Sequence, residues 1–322
     1  MLRKFLLFVE IRTKTVSVLA FLLGTAYAAA RYGLGSLDWG LAAVLFLSVF
    51  LFDMTTTAVN NHVEVRHRLR RIRLGLPPGA PLRDYGMGKD GQLAAILLML
   101  AAATASGLYV ASRTDVVVLL VGALCFAIGV LYSAGPLPII RTPFGEALSG
   151  FFMGVLIPFL AAYVHVFGRT PAVLCVSLAG GVLTVSASLG DLLPIVLLGI
   201  APAAAIANVM LANNICDQAT DLHDERYTLP ILVGTKAALR LFAGLYALAG
   251  AAIVVQAASG WMPPWILLAL LPAPLVYRNV RTFFQRQDKA TTFGLSIQNL
   301  VLTIAPSILI LAVVAVVRTL AA

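Results

Sequence analysis

The sequence predicts an all-α, polytopic membrane protein of about nine transmembrane helices, and three observations predict it. Of 322 residues, 60% are apolar and only 11% are charged. The mean hydropathy is +0.95, far outside the balance of water-soluble domains. Apolar stretches of about 20 residues, the length that crosses the hydrocarbon layer, recur roughly nine times along the chain. No soluble core absorbs that much apolar surface.

The elements follow in order. In the first 14 residues, Arg3 and Lys4 precede an apolar patch, as in a signal peptide, but Glu10, Arg12 and Lys14 interrupt it. That argues against a cleaved signal peptide and for a short amphipathic lead-in on the membrane surface. Spans are expected at 15–32, 38–58, 91–111, 116–133, 145–167, 191–215, 237–258, 261–277 and 292–317. The segment 171–190 is apolar but rich in glycine and serine, and reads either as a tenth span or as a half-buried excursion. Gly145, Gly150 and Gly154 open the fifth span at a spacing that lets helices approach closely. Residues 1–322 read as a single transmembrane domain. Cys125, Cys175 and Cys216 have no paired spacing that suggests a disulfide or a zinc site.

Charge distribution sets the expected orientation. With nine spans, 19 of the 23 Lys and Arg fall on the side of the N-terminus and 4 on the other. By the positive-inside rule the N-terminus and the basic loops are cytoplasmic, and the C-terminus is outside. The net charge of +9 then reads as topology and phosphate affinity, with no nucleic acid needed to explain it.

Two connections on the basic side are long and polar, and both begin at the end of an apolar span. In the later one, Asn213, Asp217, Asp221 and Asp224 recur at helical spacing and share a face. Like charges on one face repel unless a cation or a basic partner is present. Mg²⁺ is bound through one or two carboxylates together with phosphate oxygens, a role that suits Asp217 and Asp221. The plain alternative is a solvated membrane-exit loop, in which Asp224 and Glu225 pair with Arg226 or cap the next turn.

In the earlier connection, Asp53, Thr57, Asn60 and Glu64 share one helical face, and basic residues from Arg66 to Arg73 follow. An ionisable group within a span is costly and usually functional; Asp53 is either such a group or an interfacial one bonded to a neighbouring hydroxyl. The arginines suit phosphate oxygens, and equally lipid headgroups. At 132–146 three prolines and two glycines break the helical pattern into a tight loop with Tyr132 at its start.

These residues resemble the UbiA superfamily of intramembrane aromatic prenyltransferases. Three stretches are most similar to the 1,4-dihydroxy-2-naphthoate polyprenyltransferases of menaquinone synthesis. They are Asn213-Asn214-Ile215-Cys216-Asp217 with Asp221, then 227–234, and Tyr132 to Pro136 with Phe144-Gly145-Glu146. The resemblance implies a helical bundle around a central cavity and Mg²⁺-dependent transfer of a polyprenyl group from its diphosphate to an aromatic quinone precursor, at the lipid bilayer. Carried over by position, it implies catalytic roles for Asn60, Glu64, Asp217 and Asp221, with Glu64, Asp217 and Asp221 as metal ligands. It implies substrate contacts at Asn61, Arg66, Arg68, Arg70, Tyr132, Asn213 and Lys236.

The first motif departs from the family pattern Asn-x-x-x-Asp-x-x-x-Asp. Here the run is Asn60-x-x-x-Glu64-x-x-x-Arg68, with Asn61 in second place. A second Mg²⁺ is thereby in question. The altered motif leaves open a non-catalytic, prenyl-lipid-binding subunit with an unnamed protein partner. A transporter coupled through Asp53 is less well supported, since the sequence shows no repeated half and no second buried charge partner.

Overall fold

The computed structural model describes residues 2–75, 84–135, 138–169 and 172–321. Among them, eight helical segments are long and apolar enough to cross a membrane. The lead-in is a short helix, α1 (Leu2–Phe8), and a 3₁₀ turn at Ile11–Lys14 joins it to α2 (Thr15–Tyr32). Phe8 and Val9 are fully buried while Leu2 and Leu7 are exposed, so the lead-in is amphipathic and docked on the bundle.

Helix α3 (Trp39–Arg73) starts at Asp38, whose carboxylate accepts the Leu41 amide at 2.8 Å. At 1.5 Å per residue its 35 residues run about 52 Å, well beyond the ~30 Å apolar layer. The last turns, which hold Asn60 to Arg73, therefore project from the membrane. α4 (Lys89–Arg113) packs along α3, and α5 (Val116–Ser133), capped by Asp115 on the amides of Val117 and Val118, leans on both.

The fifth pass is α6 (Gly145–Phe151), a π turn at Phe152–Leu156, and α7 (Ile157–Tyr163). The sixth is α8 (Leu189–Leu198) followed by α9 (Ile200–His223). Small residues set the helix separations: a Cβ on Gly154 would lie 2.3 Å from the Ala203 backbone of the sixth pass, and one on Gly24 of α2 would lie 2.2 Å from the Pro158 carbonyl of the fifth. After α10 (Leu229–Val233) come α11 (Thr235–Ala258), α12 (Ala273–Gln285) and α13 (Gly294–Ala321).

Two expectations change in detail. The eighth expected span, 261–277, is not one apolar helix: a 3₁₀ helix at Pro264–Leu270 leads, after a turn at Pro272, into α12. Prolines lack an amide donor and clash with the preceding turn, so the α-helix starts only after Pro272, with Pro274 in its first turn, where no amide donor is needed. The broken segment still traverses the bundle. Its Ile266 lies with Ile253 and Gln256 near the end of α11, while Phe283 packs 4.8 Å from Phe242 near its start. The ambiguous segment 171–190 is not a tenth span. It holds an antiparallel hairpin, β1 (Leu174–Ala179) and β2 (Val182–Ala187), turned by Gly180 and Gly181 at φ 57° and 78°.

Exposed leucines such as Leu98 and Leu309 band the outside of the bundle, while the main core gathers Tyr27, Tyr163, Ile195, Leu300 and Leu311 between α2, α7, α8 and α13. α4 and α5 are the least buried of the long helices. They shield one side of a large interior space.

Candidate active site

Between α3, α5, α6 and α9 lies a cavity of about 1730 Å³. That exceeds the few hundred to ~1,000 Å³ of ordinary small-molecule pockets and suits an extended lipid. Its depth is apolar, with Phe52 and Phe126 stacked at 4.0 Å between centroids and Leu119, Met153 and Ile206 nearby. Its polar lining collects where α3 and α9 project.

Helical repetition puts the polar groups there. Asn60, Glu64 and Arg68 follow one another at four-residue steps on α3, and Asn213, Asp217 and Asp221 do so on α9; all six line the cavity. Each carboxylate is met by a cation. Lys289, in the turn between α12 and α13, donates to Asp217 at 2.6 Å and also to Asn213. Arg226 lies 3.4 Å from Asp221, whose other oxygen accepts the Thr228 hydroxyl at 3.3 Å. Arg68 pairs with Glu64 one turn before it and with Asp224 at 3.3 Å.

The turns that close this end are themselves tied down. Arg141 donates to the Asp224 carbonyl at 3.0 Å, and its own carbonyl accepts the Tyr227 amide at 3.0 Å. Burial, and then the neighbouring Arg226, lower the affinity of Arg141 for its proton. Asp288 accepts the Thr291 hydroxyl at 2.6 Å and amide at 2.8 Å, which holds its carboxyl below the usual range and shapes the turn presenting Lys289. Glu225 pairs with Arg71 and adopts a left-handed φ of 57°.

The remaining expected contacts divide. Tyr132 lines the cavity beside Gly145. Asn61 reaches the cavity edge but donates its amide to the Phe8 carbonyl at 2.9 Å, so it holds the lead-in against α3. Arg66, Arg70 and Lys236 are exposed and lie off the cavity wall. Pro136 of the quoted loop lies outside the described residues.

Three groups stand out that sequence reasoning did not assign to the site. Lys289 and Arg226 were counted only for topology or local pairing; their approach to α9 comes from turns that close over the helix end. Lys14 is buried and donates to Asp53 at 2.7 Å and to Thr57 at 2.6 Å, while Ser17 takes the other Asp53 oxygen at 2.7 Å. Asp53 therefore does have a buried charge partner, contrary to expectation. A lysine opening an apolar span was the available signal.

The donor set fits one hard cation. Asp217 and Asp221 present oxygen ligands one turn apart on the cavity wall. Among the described residues, no group of three or more His, Cys, Asp or Glu converges closely enough to hold a metal alone. An ion here needs oxygens from water or a phosphate to complete its shell, which is the ordinary habit of Mg²⁺.

A helical membrane bundle around a lipid-sized cavity, apolar in its depth and charged at one end, is the architecture of an intramembrane transferase. The chain belongs to the UbiA prenyltransferase family, whose model matches residues 89–300, and it is a multi-pass membrane prenyltransferase. It is 28% identical over 275 residues to the 1,4-dihydroxy-2-naphthoate octaprenyltransferase of Bacillus subtilis (strain 168), covering 85% of this chain and 80% of that one. It is 27% identical to the Mycobacterium tuberculosis protein of the same name, over 58% of this chain and 55% of that one. The UbiA homolog of Aeropyrum pernix K1 superposes with a TM-score of 0.64 at 20% identity, covering 91% of this chain and 98% of that one. The Archaeoglobus fulgidus homolog solved with GPP and Mg²⁺ gives 0.56 at 16% identity, covering 94% and 99%.

Proposed function

We propose that the protein transfers a polyprenyl group from polyprenyl diphosphate to an aromatic quinone precursor, 1,4-dihydroxy-2-naphthoate, with Mg²⁺ as cofactor. The observation that carries this reading is the placement of Asp217 and Asp221 on the wall of a cavity large enough for a lipid chain. The acceptor follows from the name of the B. subtilis relative, and the cofactor from the donor set and from the Mg²⁺ in the A. fulgidus homolog. The metal, when bound at Asp217 and Asp221, supplies charge neutralisation for the departing diphosphate.

The chain's own residues do the rest. Arg68, Arg226 and Lys289 offer positive charge at the cavity end where pyrophosphate leaves, and charge supplied by the protein acts most strongly where water is excluded. Asn60 and Asn213 offer amides to the same end. The apolar depth houses the prenyl tail and keeps water from the allylic cation that forms when the carbon–oxygen bond breaks. Tyr132 offers aromatic surface to the acceptor ring, one of whose carbons bonds to that cation and then sheds its own substituent, a proton or the carboxylate as CO₂, to restore the aromatic ring. The basic face, with the N-terminus, lies in the cytoplasm on this reading, in keeping with the uneven distribution of Lys and Arg.

The test is pyrophosphate release by purified protein in nanodiscs given a polyprenyl diphosphate, 1,4-dihydroxy-2-naphthoate and Mg²⁺. Release is expected, and is expected to fall about 100-fold or more in Asp217→Asn, the scale seen when a transition-state charge stabiliser is removed. Tight diphosphate binding without any release would instead favour a prenyl-lipid-binding subunit.

A further inference from the structure

Arg68 differs from the other cations of the site. Lys289 reaches Asp217 from a turn and is 41% exposed at its side chain, so it is free to swing aside when a ligand arrives. The Arg68 side chain is only 9% exposed and is held from two directions: by Glu64 on its own helix and by Asp224, 4% exposed, on the turn after α9. Asp224 is in turn fixed by Arg141 through its carbonyl. A buried guanidinium locked between two carboxylates from separate elements is a built-in charge, because removing it would leave the buried Asp224 carboxylate without its ion-pair partner. It lines the same cavity end as Asp217 and Asp221.

From this asymmetry we infer that Arg68 is a built-in cation that contacts the diphosphate directly, positioned by Glu64 and Asp224, and that the chain takes a single divalent ion, on the α9 side. The inference rests on the prenyl-transfer reading above. On the α3 side both acids are already neutralised by the guanidinium, whose planar fork matches phosphate oxygens. Asp217, whose partner Lys289 is exposed, and Asp221, whose only cation among the described residues is the single Arg226 contact, remain for a metal. Glu64 is thereby a positioning residue and not a metal ligand.

The experiment counts metal ions and does not depend on turnover. Mn²⁺ binding is followed by electron paramagnetic resonance on the full chain in nanodiscs, saturated with farnesyl thiolodiphosphate, whose carbon–sulfur bond resists ionisation. One Mn²⁺ per chain is expected, rising to two in Arg68→Asp, where a third carboxylate replaces the guanidinium between Glu64 and Asp224. Without metal, Arg68→Lys, which keeps the charge but loses the fork, is expected to bind the analogue about 10-fold more weakly, the worth of one charge-assisted hydrogen bond. Two Mn²⁺ in the unaltered chain, or unchanged metal-free affinity in Arg68→Lys, would overturn the inference while leaving prenyl transfer standing. Failure to bind the analogue with or without Mn²⁺ would overturn both. Should Arg68→Asp not fold, the count in the unaltered chain and the Arg68→Lys affinity still decide.

Discussion

The Lys14 ammonium lies 2.7 Å from an Asp53 carboxylate oxygen, a buried ion pair that joins the start of α2 to the middle of α3 beside the cavity. Both groups are saturated, Lys14 by Asp53 and Thr57 and Asp53 by Lys14 and Ser17, so the pair reads as a brace between helices and not as a mobile coupling site. Lys14→Met alone is expected to cost about 3 kcal/mol by leaving a carboxylate unpaired, and Lys14→Met with Asp53→Leu to recover most of it. Thermal melts in detergent check this; equal loss in single and double variants would refute the brace.

Gly154 sits against Ala203 with no room for a methyl group. Gly154→Ala is expected to destabilise the bundle by about 1–3 kcal/mol, because backbone faces backbone and no side chain can yield. Gly244→Ala, where a Cβ meets open space, is expected to be neutral within about 0.5 kcal/mol. The two melting temperatures, measured side by side, test whether close helix approach is the reason for glycine here.

Asn61 spends its amide on the Phe8 carbonyl, whereas Asn60 faces the cavity. Asn61→Ala is expected to speed hydrogen exchange across residues 2–9 and to cost about 1 kcal/mol, with kcat nearly retained. Asn60→Ala is expected to lower turnover without loosening that segment. Exchange mass spectrometry and a steady-state assay separate the two; the reverse pattern would show that the roles of the neighbouring asparagines are exchanged.

Lys289 occupies the Asp217 oxygen that a metal would need. Lys289→Met is expected to tighten the apparent affinity for Mg²⁺ while raising KM for prenyl diphosphate about 10-fold, one charged contact's worth. Calorimetric Mg²⁺ titration together with substrate kinetics reads both, and a parallel loss of the two affinities would contradict competition at Asp217.

Much of this was legible in the sequence because it is local. An apolar run of about 20 residues declares a span whatever surrounds it, and four-residue spacing declares that Asn60, Glu64 and Arg68, or Asn213, Asp217 and Asp221, share a face. The expected close packing at Gly150 and Gly154 follows from the same kind of spacing, and both meet Ala203; Gly145 has ordinary room. The hairpin at Leu174–Ala187 was harder, since apolar strand and apolar helix differ little in composition and only the Gly180-Gly181 pair marks the turn.

By itself, then, the sequence determined the membrane class, a helix count close to the one observed and which residues share each helix face, since hydropathy and helical period act over neighbouring residues. Tertiary structure alone decided which cation answers which carboxylate. Lys289 meets Asp217 across 72 positions and Arg68 meets Asp224 across 156. Long basic side chains reach wherever the fold leaves an unneutralised acid, and that choice is made by the low-dielectric geometry of the assembled bundle, which no local pattern encodes.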